Sequence, residues 1–162
     1  MPDEKIELRN LKFEDYVDLN TAMKEAYKGI GMDWELAEIQ KLLSIFPQGQ
    51  LCIVVNEKVV ASALSIIVDY AKFGDNHTYK QVTGNYKFDT HDPEGDVLYG
   101  IELFVHPKYR KMRLGRRLYD ARKELCERLN LRAIIAGGRI PHYNSYSDKL
   151  LPRQYIDKVR IR

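Results

Sequence analysis

VLYGIELFVHPKYRKMRLGRRLYDARKELCERLNLRAIIAGG, residues 97 to 138, decides the fold. Val97 to Val105 is rich in β-branched and aromatic residues and reads as a strand; His106-Pro107 ends it, because proline cannot donate to a ladder. From Lys108 to Arg117 six of ten residues are basic and none is acidic, and Gly115 stands where a helical pattern begins. From Leu114 the apolar positions Leu118, Ala121, Leu125 and Leu129 recur at three- and four-residue steps, the buried stripe of a helix. Asn130 is a candidate left-handed stop. Ala133 to Ala136 is short and wholly apolar, as a strand covered on both faces would be. The unit is strand, basic loop, helix, strand.

The first turn of a helix leaves backbone N–H groups without intrahelical partners, and with the aligned peptide dipoles these seat a phosphate. Glycine at 115 lets a ligand approach the backbone, and the surrounding guanidinium groups add charge-assisted hydrogen bonds. A diphosphate fits that description. A solvated basic helix start that binds nothing is the plainer alternative; the preceding strand and the glycine argue against it.

Arg110, Lys111, Met112, Arg113, Leu114 and Gly115 resemble the phosphate-binding motif of the GNAT superfamily of acyl-CoA N-acyltransferases. That motif is Arg or Gln, two residues, Gly, one residue, then Gly or Ala, between the fourth strand and third helix. Arg110 and Gly115 match; Arg113 stands where the family usually has glycine. Leu103 to Pro107 is similar to the family's strand end, whose backbone pairs with the pantetheine arm of coenzyme A. The resemblance implies an α/β fold with a mixed, largely antiparallel sheet flanked by helices and splayed between strands 4 and 5. It implies acetyl-CoA as co-substrate and no metal. The implied cofactor contacts are Phe104, Val105, Arg110, Lys111, Met112, Arg113, Leu114, Gly115 and Arg116, with Val105 the foremost backbone contact to pantetheine.

At 162 residues a single domain spanning 1–162 is expected, able to bury about two thirds of its unfolded surface. A formal charge of +3 falls short of a dedicated nucleic-acid binder, and the cations concentrate in one loop. Cys52 and Cys126 are isolated and read as buried thiols, with neither disulfide nor metal spacing. The N-terminus has no apolar stretch of signal-peptide length, and no run of about eighteen apolar residues occurs, so a reducing cytoplasm is expected and a membrane is not.

In chain order, Ile6–Arg9 is a strand candidate and Glu14–Lys28 a helix that Gly29 can close. A flexible connection through Met32 follows, then a helix capped by Asp33 and reaching Phe46, ended by Pro47 and Gly49. By resemblance, the connection between these helices lines the acceptor pocket. Leu51–Val55 and Val59–Tyr70 form a hairpin around Asn56-Glu57-Lys58. Residues 71–96 make a connection long enough to be functional or disordered. Asp89, Asp92, Glu94 and Asp96 crowd its end: a negative rim for a cationic amine, or a solvated turn; a calcium loop would need another ligand series. A last helix is expected from Pro152.

Transfer to an amine requires removing a proton from an alkyl ammonium, which costs roughly 4 kcal/mol at pH 7. Glu102 is the only acid within the core strand, and its apolar neighbours suit a base. The family often places a glutamate on this strand; a rim or salt-bridge role is the alternative. His106 reads as a strand-end loop residue, and His142 has no assigned place. By resemblance, Tyr146 or Tyr143 protonates the departing thiolate, although the family's usual following helix pattern is absent and both can equally be wall residues. The stretch from Tyr99 onward further resembles the N-terminal acetyltransferase domain that precedes a carbon-nitrogen hydrolase (nitrilase-like) domain in some bacterial proteins, either as a stand-alone relative or as an excised first domain. Hydrolase activity is not expected from this chain. The expected partner is a small-molecule or peptide amine, with a homodimer or docking to a hydrolase domain as further options. A non-catalytic module that binds CoA or a partner domain competes with the enzyme reading, and a small basic nucleic-acid-binding domain competes more weakly.

Overall fold

Five strands carry the chain's apolar runs, and their order in space follows their order in sequence. The computed structural model describes residues 5–27, 34–73 and 78–136. β1 (Ile6–Asn10), β2 (Leu51–Val55), β3 (Lys58–Val68) and β4 (Val97–Val105) pair antiparallel in succession, and β5 (Ala133–Ala136) lies parallel to β4. The last pair runs from Val97↔Ala133 to Gly100↔Ala136. This is the expected mixed, largely antiparallel sheet flanked by helices.

Helices cover both faces. α1 (Tyr16–Ala26) and α2 (Leu36–Ile45) put Leu19, Met23, Ile39 and Leu42 against Leu64, Ile66, Tyr99 and Ile101. α4 (Leu114–Arg128) puts Leu114 and Leu118 on Leu51, Ile53 and Ala63, and Leu125 on Leu98 and Ile67. β5 sits between, with Ile134 toward the α4 side and Ala133 and Ile135 toward the other.

Local chemistry sets the boundaries. The first helix is preceded by a 3-10 turn, Phe13–Asp15, where Asp15 Oδ2 accepts from Lys12 N at 2.7 Å while both its oxygens grip the Arg9 guanidinium, at 2.7 and 2.9 Å. Burial, the largest single influence, pushes the Asp15 carboxyl up, but the Arg9 and Lys12 contacts together outweigh it and hold the group below the usual carboxylate range. Glu35 caps α2, its backbone N–H donating to Glu38 Oε1 at 2.8 Å in a reciprocal box. That cap replaces the one expected of Asp33, which, like Gly29, lies outside the described residues. The hairpin turn contains two residues, Asn56 and Glu57, both left-handed at φ 49 and 72, and β3 ends at Val68, two residues before the expected Tyr70. Asn130 is left-handed at φ 57, as its position suggested.

The connection after β3 is ordered where described. It forms a 3-10 turn at Tyr70–Lys72, a short helix α3 (Tyr79–Val82) and a series of turns that bury Val82, Thr83 and Phe88. Phe88 meets Trp34 at 6.1 Å between ring centroids. The acids at its end act as local pegs. Asp96 accepts from Tyr70 N at 3.0 Å and Arg132 Nε at 2.6 Å, Asp92 Oδ1 accepts from Glu94 N at 2.9 Å, and Asp89 pairs with Lys41 at 3.3 Å. Asp92 thus serves the connection itself, while Asp96 and Asp89 tie it to neighbouring elements. Both cysteines are free and buried, and burial pushes the Cys52 thiol up to about 12.

Candidate functional site

β4 delivers the chain to the basic loop, and proline terminates it as its chemistry requires. Pro107–Met112 form a 3-10 turn begun by His106, whose Nδ1 accepts from Lys108 N at 3.1 Å and whose ring meets Tyr109 edge-on at 5.7 Å. His106 is therefore a capping residue at the strand end. Arg113 follows at φ 58, ψ 31, a left-handed conformation that glycine adopts without strain, and α4 opens at Leu114 with no side chain capping it. The arginine thus holds a left-handed backbone at the position where the motif it resembles has glycine.

The six cations are all exposed: Lys108, Arg110, Lys111, Arg113, Arg116 and Arg117. Arg110 reaches back toward the Ala26 carbonyl at the end of α1, at 3.5 Å. Leu114 is buried and Met112 half-buried, so their side chains belong to the core, and only their backbones face a ligand. A Cβ on Gly115 would lie 3.8 Å from Val105 Cγ2 and 3.9 Å from Leu103 Cδ2, so the first turn of α4 stands directly beside the end of β4.

His106 N donates to Val60 O at 2.7 Å, so at this end of β4 even-numbered residues turn their backbone groups to β3. Alternation then directs those of Leu103 and Val105 away from β3, and those of Phe104 toward it. Phe104 is buried on the α1 face, its ring 6.3 Å from that of Tyr27.

Left-handed arginine is strained, which yields a stability prediction. Arg113→Gly should raise unfolding stability by up to about 1 kcal/mol, as relief of strain outweighs the extra chain entropy of glycine. Equilibrium denaturation measures this, and a lowered midpoint would show that the arginine side chain itself supports the turn.

Glu102 is 7% exposed and accepts a short hydrogen bond from the Tyr27 hydroxyl at the C-terminal end of α1. The pairing spans 75 residues of sequence, and Tyr27, read only as part of a helix end, carried no signal of it. Arg122, on the buried face of α4, was likewise passed over because the periodic template counts apolar residues. Its guanidinium is 2% exposed, and its Nη2 donates to the carbonyls of Leu64 at 2.7 Å and Glu102 at 2.6 Å. Burial pushes its ionisation down to about 10. Thus just inboard of the basic loop Tyr27 holds the carboxylate of Glu102, while Arg122 holds its main-chain carbonyl from α4. Tyr143, Tyr146 and His142 lie outside the described residues.

No group of three or more His, Cys, Asp or Glu arranged to hold a metal occurs among the described residues. No helix among them is long and apolar enough to cross a membrane. A separate groove of about 530 Å³ lies between β1 and the second half of α4, lined in part by Asn10, Gln48, Glu124 and Arg128, and contains none of the predicted site residues.

The sequence profile of the Acetyltransferase (GNAT) family matches residues 13–151. "Probable hydrolase YhcX" of Bacillus subtilis (strain 168) is 36% identical over 157 residues, covering 97% of this chain and 30% of that protein. "Uncharacterized N-acetyltransferase YkwB" of the same organism is 32% identical over 126 residues, 78% of this chain and 56% of that protein. The chain thus spans about a third of the first relative's length and just over half of the second's. Among solved structures, the GphF GNAT-like decarboxylase in complex with isobutyryl-CoA superposes with a TM-score of 0.70 at 18% identity, covering 94% of this chain and 76% of that one, a likeness of fold. With the profile covering most of the chain, and a relative 36% identical over 97% of it, this chain belongs to the GNAT acetyltransferase family.

Proposed function

We propose that the chain is an N-acyltransferase that moves an acetyl group from acetyl-CoA to a primary amine by direct attack. The observation that carries the reading is the uncapped N-terminus of α4, surrounded by six exposed cations and set beside the end of β4. The amides of Leu114, Gly115 and Arg116 point off the helix end, and with Arg110, Lys111 and Arg113 they take the diphosphate of coenzyme A. The backbone groups of Leu103 and Val105 take the pantetheine arm, which carries the thioester along β4 toward Glu102.

At Glu102 the carboxylate removes the ammonium proton, directly or through water, and the amine nitrogen attacks the thioester carbonyl. The C–N bond forms, the tetrahedral intermediate collapses, and the C–S bond breaks. The thiolate takes a proton from a tyrosine, for which Tyr146 and Tyr143 are the proposed donors. Tyr27 fixes the carboxylate's direction, supplying the orientation that such a step demands. The name of YkwB, an N-acetyltransferase, supports this reading, and the isobutyryl-CoA in the GphF structure supports an acyl-CoA donor. Two buried thiols suit a reducing cytoplasm.

A second reading, a module that binds CoA and serves a partner domain without turnover, is favoured by one fact: the chain matches 30% of a longer relative named a hydrolase. Calorimetry with acetyl-CoA, followed by a mass-spectrometric screen of amines, polyamines, amino acids and peptides, separates the two. Acetylated product with free CoA establishes the enzyme; binding without product selects the module. Loss of CO2 from a carboxylated acyl-CoA, the chemistry named for GphF, would assign decarboxylation instead. Nucleic-acid binding that weakens with salt, with no response to CoA, would remove all three.

A further inference from the structure

The ladder between β3 and β4 slips by one residue: Leu64 faces Glu102 while Ser65 faces Gly100, leaving Ile101 as an extra residue. A bulge of this kind re-aims the side chains that follow it. Val97, Tyr99 and Ile101 pack on the α1 face at alternating positions, and after the slip Glu102 and Phe104 occupy that same face. In an unbroken strand the period of two would turn Glu102 to the α4 side, away from Tyr27.

We infer that Arg122 is a positioning residue: its guanidinium clamps the Leu64 and Glu102 carbonyls where the ladder slips, and so keeps the Glu102 carboxylate on the α1 face against Tyr27. This deepens the proposed function, resting on it only for the role of Glu102 as base. Two independent features support the clamp. The first is Gly100, where an added Cβ would lie 2.7 Å from Arg122 Nη1 and 3.0 Å from its Cζ; the missing side chain is the space that admits the guanidinium. The second is that Arg122 Nε is buried without a hydrogen-bond partner. A buried cation so incompletely served is a poor choice for stability, where an apolar residue of similar volume does as well or better. What it offers instead is direction, one nitrogen joining two carbonyls on adjacent strands. Because α4 begins at Leu114, eight residues and about 12 Å of helix before Arg122, the clamp also fixes the anion seat relative to Glu102.

Among the described residues, the charged and titratable groups on the elements around Glu102 include Tyr27 at the end of α1, Arg122 and, more exposed, Tyr119 on α4, Tyr99 on β4 itself, and Lys58 at the far end of β3. A double-mutant cycle therefore reads the geometry directly. The Glu102 carboxyl is followed by carbon-13 resonance through a pH titration in the wild type and in Tyr27→Phe. The same pair of titrations is run in Arg122→Met and in Gly100→Ala, after thermal melts confirm that each variant folds. Removing the phenol should move the wild-type titration to higher pH, since a hydrogen bond to the charged form is lost. In both clamp variants the phenol should no longer matter. A second readout is turnover: kcat should fall about 10- to 100-fold in Arg122→Met and Gly100→Ala, with the acetyl-CoA KM little changed. Tyr27→Phe acting equally in all backgrounds, or having no effect in the wild type, overturns the proposal. If the coupling vanishes as expected but the wild type acetylates nothing, the clamp stands and the transferase reading falls.

Discussion

Glu102→Gln is expected to lower kcat by about 10²- to 10⁴-fold, the usual contribution of a positioned general base, with the dissociation constant for acetyl-CoA within about twofold of wild type. The amide keeps the side chain's shape, and its oxygen still accepts from the Tyr27 hydroxyl, so the fold and the α1 contact survive. What disappears is the ability to take a proton. The proposed anion seat begins twelve residues further along the chain and makes no use of the carboxylate, which is why binding and turnover should separate. Steady-state release of CoA with an amine acceptor gives kcat, and calorimetry gives affinity. The wild-type rate profile should also lose activity at low pH as the base is protonated, a limb that the glutamine variant lacks. Wild-type turnover in the variant would take Glu102 out of the chemistry and leave water or another group as base.

The sequence was most informative where punctuation and period agree. β4, β5 and the start of α4 fall where they were expected because Pro107 stops the strand, the apolar steps from Leu114 onward match a helix, and Asn130 tolerates the left-handed turn. The exposed basic helix start that we propose as the anion seat was legible for the same reason, as six cations and a glycine lie together in ten residues. The inner half of the site was not. VLYGIELFV is apolar on both faces, so a one-residue slip leaves no trace in its pattern, and the face chosen by Glu102 depends on that slip. Arg122 hid behind its charge. Gly100, read as one more strand residue, was the available clue, since a glycine inside a strand marks a bulge or a close approach, and here it marks both.

The long connection shows what punctuation alone leaves open. Between residues 71 and 96, glycines, a proline and acids mark a loop without saying what holds it, and Val82, Thr83 and Phe88 are the buried residues that pack it on the core. Its acids accept from backbone amides or pair with Lys41 and Arg132 on neighbouring elements. Arg113 shows the limit of motif reading in the opposite direction. A position defined by its backbone conformation can be filled by an arginine if the rest of the turn enforces φ 58, so a mismatch in residue type need not be a mismatch in shape.

Gly115→Pro should weaken acetyl-CoA binding by about 10- to 100-fold or more, because it deletes one amide donor to a charged oxygen, worth roughly 1.5–3 kcal/mol, and places a ring in the ligand's path. Gly115 is the second residue of α4, where its N–H has no intrahelical partner, so proline breaks no helical bond there, although it restricts Leu114 before it. Gly115→Ala supplies the control. Its methyl would meet Val105 and Leu103 at ordinary contact distances of 3.8 and 3.9 Å, so the helix should gain up to about 1 kcal/mol from propensity while the amide remains. The alanine variant should bind acetyl-CoA within a few-fold of wild type, in keeping with the glycine or alanine that the family's motif admits, and the proline variant should not. Calorimetry on both, with thermal melts to confirm folding, tells a lost donor from a lost fold. The exposed cations would remain in either variant, so their attraction alone predicts equal binding by the two, falling with added salt. Equal binding would therefore move the diphosphate off the helix mouth and onto the side chains. A loss confined to proline would leave the backbone amides as the seat, with the cations strengthening and steering what those amides hold.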